Sequence, residues 1–455
     1  MSFALHIWGS RIFGAIIIKD STLKHCCEGH IMRKSNILYL VLFFMLALSS
    51  PSYSGEEGAG SLSMTAFIRT SEEDHVVKNQ KEIADYLDNA EGSTPYLNRV
   101  ELRTETDEFD IDKQKYGVRF YPKGWGETKY SRMLSETAKA SGRTEYEASY
   151  HEALKNRYLL VLEYLETVEL IGLKEKLALV CEDRIKVLKK RSAGSLSFDI
   201  SDLVEAEELL TRIRLELVGL ENKKNGTLHQ ISLAADSKAE VNFSSEPLVR
   251  IDSVKRSVAE AKDRKDLDNI NLKDRKNKVD MALDKYNLEQ AKSRDYISFF
   301  EVAYDHGNYE DEDKAYSVEI GVKLPFINPD QDEITRKKVV FMKERLAFEE
   351  EKRAFSEKII ALSRSIDRLI SQYEIIEQNK KYGNAQESLG ASLKTGGTDP
   401  LNILKIKETL LKSDIHMVQT GYEIRNRFVE FLDVSGKLSE KPFKNYLAEQ
   451  REAVR

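Results

Sequence analysis

Residues that could do chemistry are few in this chain, and they are scattered. His151, His229, His306 and His416 stand far apart, and no two have the spacing at which imidazoles share a zinc ion. Asp107, Asp110 and Asp112 offer oxygen ligands suited to calcium, but the central glycine and closing glutamate of a calcium loop are missing. The acidic run Tyr309-Glu-Asp-Glu-Asp313 reads as the solvated tip of a hairpin. There is no glycine-rich phosphate loop and no nucleophile motif. Cys26 and Cys27 fall in an N-terminal segment expected to be removed, and Cys181 alone cannot form an internal bridge. The expectation is a protein that is not an enzyme, with no cofactor and no metal site.

What the chain does carry is architecture stated twice. Asp199-Ile-Ser-Asp-Leu-Val-Glu-Ala-Glu-Glu-Leu-Leu210 recurs about 200 residues later as Asp399-Pro-Leu-Asn-Ile-Leu-Lys-Ile-Lys-Glu-Thr-Leu410. Aspartate opens both runs, Leu203/Ile403 and Val204/Leu404 are apolar, and Glu208/Glu408 and Leu210/Leu410 match. Each run follows a glycine turn, at Gly194 and at Gly396-Gly397. Further upstream each half has a short strand ending in proline, Gly117–Pro122 and Gly321–Pro325. An aspartate that opens a helix is foremost an N-cap, and this is the first role expected of Asp199 and Asp399.

Composition agrees with long helices. Charged residues make up 32% of 455, and prolines number only 8. The net charge of -6 gives no reason to expect nucleic acid as a partner. Residues 32–54 read as a secretory signal, with Arg33 and Lys34 before the apolar run Ile37–Leu48 and small residues at Ser52 and Ser54. That run is too short to span a bilayer comfortably. Residues 1–31 then read as a mis-called extension before the true start at Met32.

The expected elements follow from periodicity. A helix is expected over about 66–90, then strands Leu97–Thr106 and Tyr116–Tyr121. In the first strand Val100, Leu102 and Thr104 share one face, and Glu101, Arg103 and Glu105 the other. A helix from Thr128 to Lys190 would be a rod of about 90 Å. The return helix is expected over Asp199–Lys224, followed by a mixed connector over 225–250 opening at Asn225-Gly226. A charged helix over 251–293 should present Arg250, Lys255, Arg256, Lys262, Arg264 and Lys265 to solvent. Strands are expected at Asp295–Tyr304 and Ala315–Phe326, with Val318, Ile320, Val322 and Leu324 on one face. The next helix, Asp332 to Lys394, has the seam Phe355, Ile359, Leu362, Ile366, Leu369, Tyr373, Ile376. The last helix should end near Val434 with Gly436 as its cap, followed by a loosely packed polar tail over 437–455.

The domain organisation is therefore an extension plus signal (1–54), a first repeat (55–224), an equatorial connector (225–250), a second repeat (251–436) and the tail. Strands with one apolar and one polar face suit a barrel between lipid and water. Two hairpins cannot close one, so several chains must contribute. Tyr96, Tyr121, Trp125, Tyr304, Tyr316 and Phe326 lie at strand ends, where an aromatic girdle would be. The apolar band is short, five or six residues per strand by this reading.

In its duplicated order of strands, helix, turn and helix, and in Gly194–Leu210, Gly396–Leu410, Val322–Phe326 and Phe431–Gly436, the chain resembles the TolC-like outer membrane efflux proteins. The resemblance implies a mainly α fold with a small β part. Three chains of four strands would form a twelve-stranded barrel in the outer membrane, above a helical tube crossing the periplasm. It implies a homotrimer, contact with outer membrane lipid, and passive conduction for drug efflux or type I secretion. A periplasmic adaptor and an inner-membrane pump would be the partners, with the adaptor docking at the helical tips. Carried over by position, the tips comprise Gly194, Asp199, Asp202 and Leu203 in the first half. In the second they comprise Gly396, Gly397, Asp399, Asn402, Leu404 and Lys405. Where the family often places acidic, cation-binding side chains, this sequence has Asn402 and Lys405. The alternative is a periplasmic coiled-coil adaptor or scaffold without a channel, which would lack a lipid-facing stripe on its strands.

Overall fold

A computed structural model describes residues 61–90, 95–106, 114–193, 200–237, 239–262, 269–306, 316–323, 331–382, 399–440 and 443–449. The signal, Gly194, Asp199, the 307–315 loop, Phe326 and Gly396-Gly397 lie outside the described residues. The described residues all belong to one compact unit, Ala59–Arg455.

Helix α1, Met64–Arg69, passes through a 3-10 turn, Thr70–Glu73, into α2, His75–Asn89. Strands β1, Leu97–Thr106, and β2, Gln114–Pro122, lead into α3, Glu127–Ala193. Its 67 residues make a rod of about 100 Å. Helix α4, Ile200–Ala235, returns alongside it. After the connector come α5, Ile251–Lys262, and α6, Ile270–Lys292. Strands β3, Ile297–His306, and β4, Tyr316–Val322, precede α7, Gln331–Tyr382, and α8, Pro400–Val434.

The helices pack in two rows. Toward the strands α3 lies between α2 and α6, and α6 packs on α7; toward the tip α3 lies between α4 and α8, and α8 packs on α7. The strands repeat this order as one antiparallel sheet, β1-β2-β3-β4. The duplication is visible in the register. Leu97↔Pro122 and Ile297↔Val322 are followed by the same irregularity, which resumes at Arg99↔Tyr121 and Phe299↔Gly321.

The main core lies where α3, α8, the connector and the chain's end meet, around Phe67, Tyr158, Phe243, Phe428, Phe431 and Leu447. The Phe67 ring lies tilted against Phe243 and the Tyr164 ring meets it edge-to-face, with ring centroids at 5.4 and 5.6 Å. A second apolar cluster near the tip joins Leu177, Cys181, Leu188, Ala206, Ile213 and Leu401.

Four expectations are corrected. The single helix over 66–90 is two, because the chain is extended at Asp74, which caps α2 through Val76 N–H. Helix α4 does not stop at Lys224 but runs on to Ala235, so the irregular connector begins only at Asp236. Ile231 is fully buried and Thr227 bonds back to the Lys223 carbonyl, and this packing outweighs the poor propensity of Asn225-Gly226. The single helix over 251–293 is two, because Asn269 caps α6 through Asn271 N–H and Leu272 N–H. The tail is not loose among its described residues. Val249 N–H donates to the Leu447 carbonyl at 2.7 Å, Tyr158 Oη donates to the Lys444 carbonyl at 3.0 Å, and Leu438 and Leu447 are buried. Gly436 does take the left-handed conformation (φ 72°) that closes α8.

Candidate functional site

The sheet has two chemically opposite faces, fixed by the two-residue period of its strands. On one face the cross-strand rows are Val100–Phe120–Phe300–Ile320, Leu102–Val118–Val302–Val318 and Thr104–Tyr116–Tyr304–Tyr316. Apolar side chains on this face stand in the open: Leu102 is 83% exposed and Val318 63%. A run of apolar rows left uncovered across four strands signals a surface that meets something apolar. The last row is aromatic, with Tyr304 and Tyr316 ring centroids 5.2 Å apart.

The other face is charged and internally paired. Its central row is Glu101–Arg119–Glu301–Glu319. Arg119 donates to Glu301, and Arg103 approaches the same carboxylate at 3.5 Å. Arg99 pairs with Glu101 at 3.0 Å and covers the Tyr121 ring, 4.1 Å from its centroid. The charged network thus spans both repeats.

The expected girdle residues divide between these surfaces. Tyr304 and Tyr316 belong to the aromatic row, and Tyr116, not singled out from the sequence, joins them. Tyr121 instead turns to the charged face, where its hydroxyl donates to Glu101 at 2.7 Å. Tyr96 and Trp125 flank β1 and β2 at the end nearer the helices and are 82% and 81% exposed. Tyr296 is exposed beside them at the start of β3. Its position, one residue before the strand, was the available signal.

At the opposite end, the tips of α3, α4 and α8 are tied by charge. Arg184 is buried, with Nη1 3.2 Å from Glu408 Oε2 and Nη2 3.5 Å from Asp202 Oδ1. Lys405 Nζ donates to Asp202 at 3.3 Å and Lys412 Nζ to Glu408 at 2.7 Å. Asp399 caps α8 through Leu401 N–H at 3.0 Å and also pairs with Arg191. Leu203 packs against the tip cluster, Leu404 is half-buried, and Asn402 is exposed. Burial pushes the nearby Cys181 thiol up to about 11, with the Glu408 charge adding to it. Arg184 carries this network, yet nothing in its sequence position distinguishes it from the surface cations of α3. Its partners also differ between the repeats: Glu408 is buried, whereas its counterpart Glu208 is exposed and pairs with Arg212 on its own helix.

Both the sheet and the helical rows have free edges. Among the described residues β1 and β4 each have an unpaired side. The flanking helices carry exposed apolar residues: Val204, Leu215, Val218 and Leu233 on α4, and Val339, Met342, Leu346 and Ile375 on α7. No helix of the described residues is long and apolar enough to cross a membrane, a statement that leaves the strands untouched.

No protein-family model and no curated protein matches the chain. Solved structures do. The outer membrane protein VceC of Vibrio cholerae matches with a TM-score of 0.58 at 12% identity, over 82% of this chain and 96% of that one. The CmeC outer membrane channel of Campylobacter jejuni matches at 0.57 and 10%, over 86% and 87%. The open state of the MtrE outer membrane channel of Neisseria gonorrhoeae matches at 0.58 and 9%, over 83% and 90%. The doubled order of strands and helices, the four-stranded sheet with opposite faces and these likenesses lead to one conclusion: the chain has the TolC-like fold of outer membrane channels.

Proposed function

We propose that the chain is one protomer of a trimeric exit duct in the outer membrane, conducting solutes passively from the periplasm to the exterior. The observation that carries this reading is the sheet. Its apolar face is uncovered, its charged face is self-paired, and its edges are open. In a bilayer every edge must be paired, and β4 of one copy against β1 of the next does this for a closed ring. The apolar rows then meet lipid and the charged rows line water. The free faces of α4 and α7 would be buried by the same head-to-tail contact. Neighbours described as outer membrane channels support this placement.

At the tip, the Arg184–Glu408–Asp202–Lys405 network holds α3, α4 and α8 together. We assign it the role of keeping the periplasmic mouth closed until an adaptor of an efflux or secretion pump docks there. The tip residues Asp202, Leu203, Asn402, Leu404 and Lys405 form the described part of that docking surface. Among the described residues, Lys405 pairs with Asp202 at this docking surface. The reading is tested by membrane extraction and cross-linking of the full chain. A protein that resists carbonate extraction and gives a cross-linked ladder ending at three supports it. Release without detergent as a monomer would exclude it.

A further inference from the structure

On the charged face, two glycines sit beneath the Phe299 and Glu301 side chains. A Cβ at Gly321 would stand 2.4 Å from Phe299 Cε1 and 2.4 Å from Ser298 Oγ. A Cβ at Gly117 would stand 2.7 Å from Glu301 Oε1. Phe299 and Gly321 are cross-strand partners, and Gly117 pairs with Ala303, diagonal to Glu301. The Phe299 ring and the Glu301 carboxylate therefore lie down on the sheet, in space that any other residue type would fill.

Neighbouring side chains hold them there. The Arg119 guanidinium covers the Phe299 ring, 3.9 Å from its centroid, and binds Glu301. Tyr121 adjoins Phe299 with ring centroids at 6.4 Å, and Arg99 covers Tyr121. The result is a packed patch in which Arg99 and Arg119 cover the adjoining Tyr121 and Phe299 rings and are themselves paired with Glu101 and Glu301. Glycine weakens a strand, since it packs nothing and costs backbone entropy. Two of them under one patch make sense where a side chain needs the room.

We infer that Gly117 and Gly321 set the bore of the duct's β-barrel. By letting Phe299 and Glu301 lie against the wall, they keep three aromatic rings and three carboxylates out of the water path. This rests on the reading of the charged face as the lumen of a three-copy barrel. In a barrel of about twelve strands the interior is only a few side chains wide, so a ring lifted off the wall in each copy obstructs much of it.

The test is single-channel conductance of the purified full-length trimer in planar bilayers. Each variant is measured alone and with Asp202→Ala, which loosens the tip. Gly321→Val should lower conductance roughly two-fold by lifting Phe299. Adding Phe299→Ala to it should restore the wild-type value, which a merely structural role for Gly321 would not produce. If Gly321→Val gives no trimer, Phe299→Trp serves instead, and it too should lower conductance. Wild-type conductance in these variants, or no rescue by Phe299→Ala, overturns the inference while leaving the duct standing. Failure of both the wild type and Asp202→Ala to form a conducting trimer refutes the duct itself.

Discussion

Replacing Val302 by arginine separates a lipid-facing sheet from a water-facing one. Val302 lies in the middle of the row Leu102–Val118–Val302–Val318, on an inner strand of the sheet, and is already 38% exposed. In water the side chain therefore has little packing to lose, and such a surface change stays within about 0.5 kcal/mol. Against hydrocarbon, an arginine on the outer face of a β-barrel costs about 2–4 kcal/mol at the bilayer midplane. A closed ring carries the change three times, so the trimer loses on the order of 6–12 kcal/mol. Ser317→Arg is the control. Ser317 belongs to the opposite face, in the row Arg103–Gly117–Ala303–Ser317, where an added cation meets water. The assay is urea unfolding of trimers refolded into lipid vesicles, with the midpoint as readout. Val302→Arg should abolish trimer recovery or shift the midpoint far down, with Ser317→Arg close to wild type. Equal stability of Val302→Arg and wild type in vesicles would refute the assignment of faces.

Other changes probe the helices. Arg184→Ala leaves Glu408 buried with fewer partners and should cost about 3–5 kcal/mol locally, read as faster hydrogen exchange over 184–213 and a larger channel leak. Gly226→Ala places a methyl group in open space within α4 and should stabilise by about 0.5–1 kcal/mol, seen as a higher Tm. Burial alone would raise the Asp433 carboxyl, but the hydrogen bond from His151 Nε2 at 2.7 Å and the charge of Lys155 outweigh it and hold the pKa below the usual range. Its stabilisation is therefore present above the unfolded value of about 3.9 and is lost as pH falls through the lowered folded value. Asp433→Asn should remove that part of the acid loss from a pH titration of stability. Burial lowers and Asp433 more than restores the Lys155 pKa, which ends above its ordinary value. Its contribution is thus full below about pH 10.4 and lost as pH rises through the folded value, so Lys155→Met should flatten the alkaline limb.

Much of the fold was legible because its elements are long and strongly periodic. The strand Leu97–Thr106 and the division of Val100 and Leu102 from Glu101 and Arg103 follow from alternation alone. Of the α7 seam, Phe355, Leu362, Ile366 and Leu369 are buried and Ile359, Tyr373 and Ile376 half-buried. The misreadings of α4 and of the tail share one cause, which is packing between distant segments. Asn225-Gly226 looks like a break, but the burial of Ile231 carries the helix through it. The tail looks polar, but Leu438, Tyr446 and Leu447 reach the core through a backbone pairing with Pro247–Val249 that no local pattern announces. Likewise Glu208 and Glu408 are the same residue at equivalent places, yet only Glu408 faces a buried arginine. Composition fixes which residues can ionise, and the neighbouring helix decides which of them matter.

The most direct test of the duct is electron microscopy of the detergent-extracted mature protein. The account predicts three-fold particles with a short barrel above a helical tube, on the order of 100 Å long as α3 requires. Monomers or dimers that stay dispersed without detergent, with the apolar face of the sheet open to water, would contradict it.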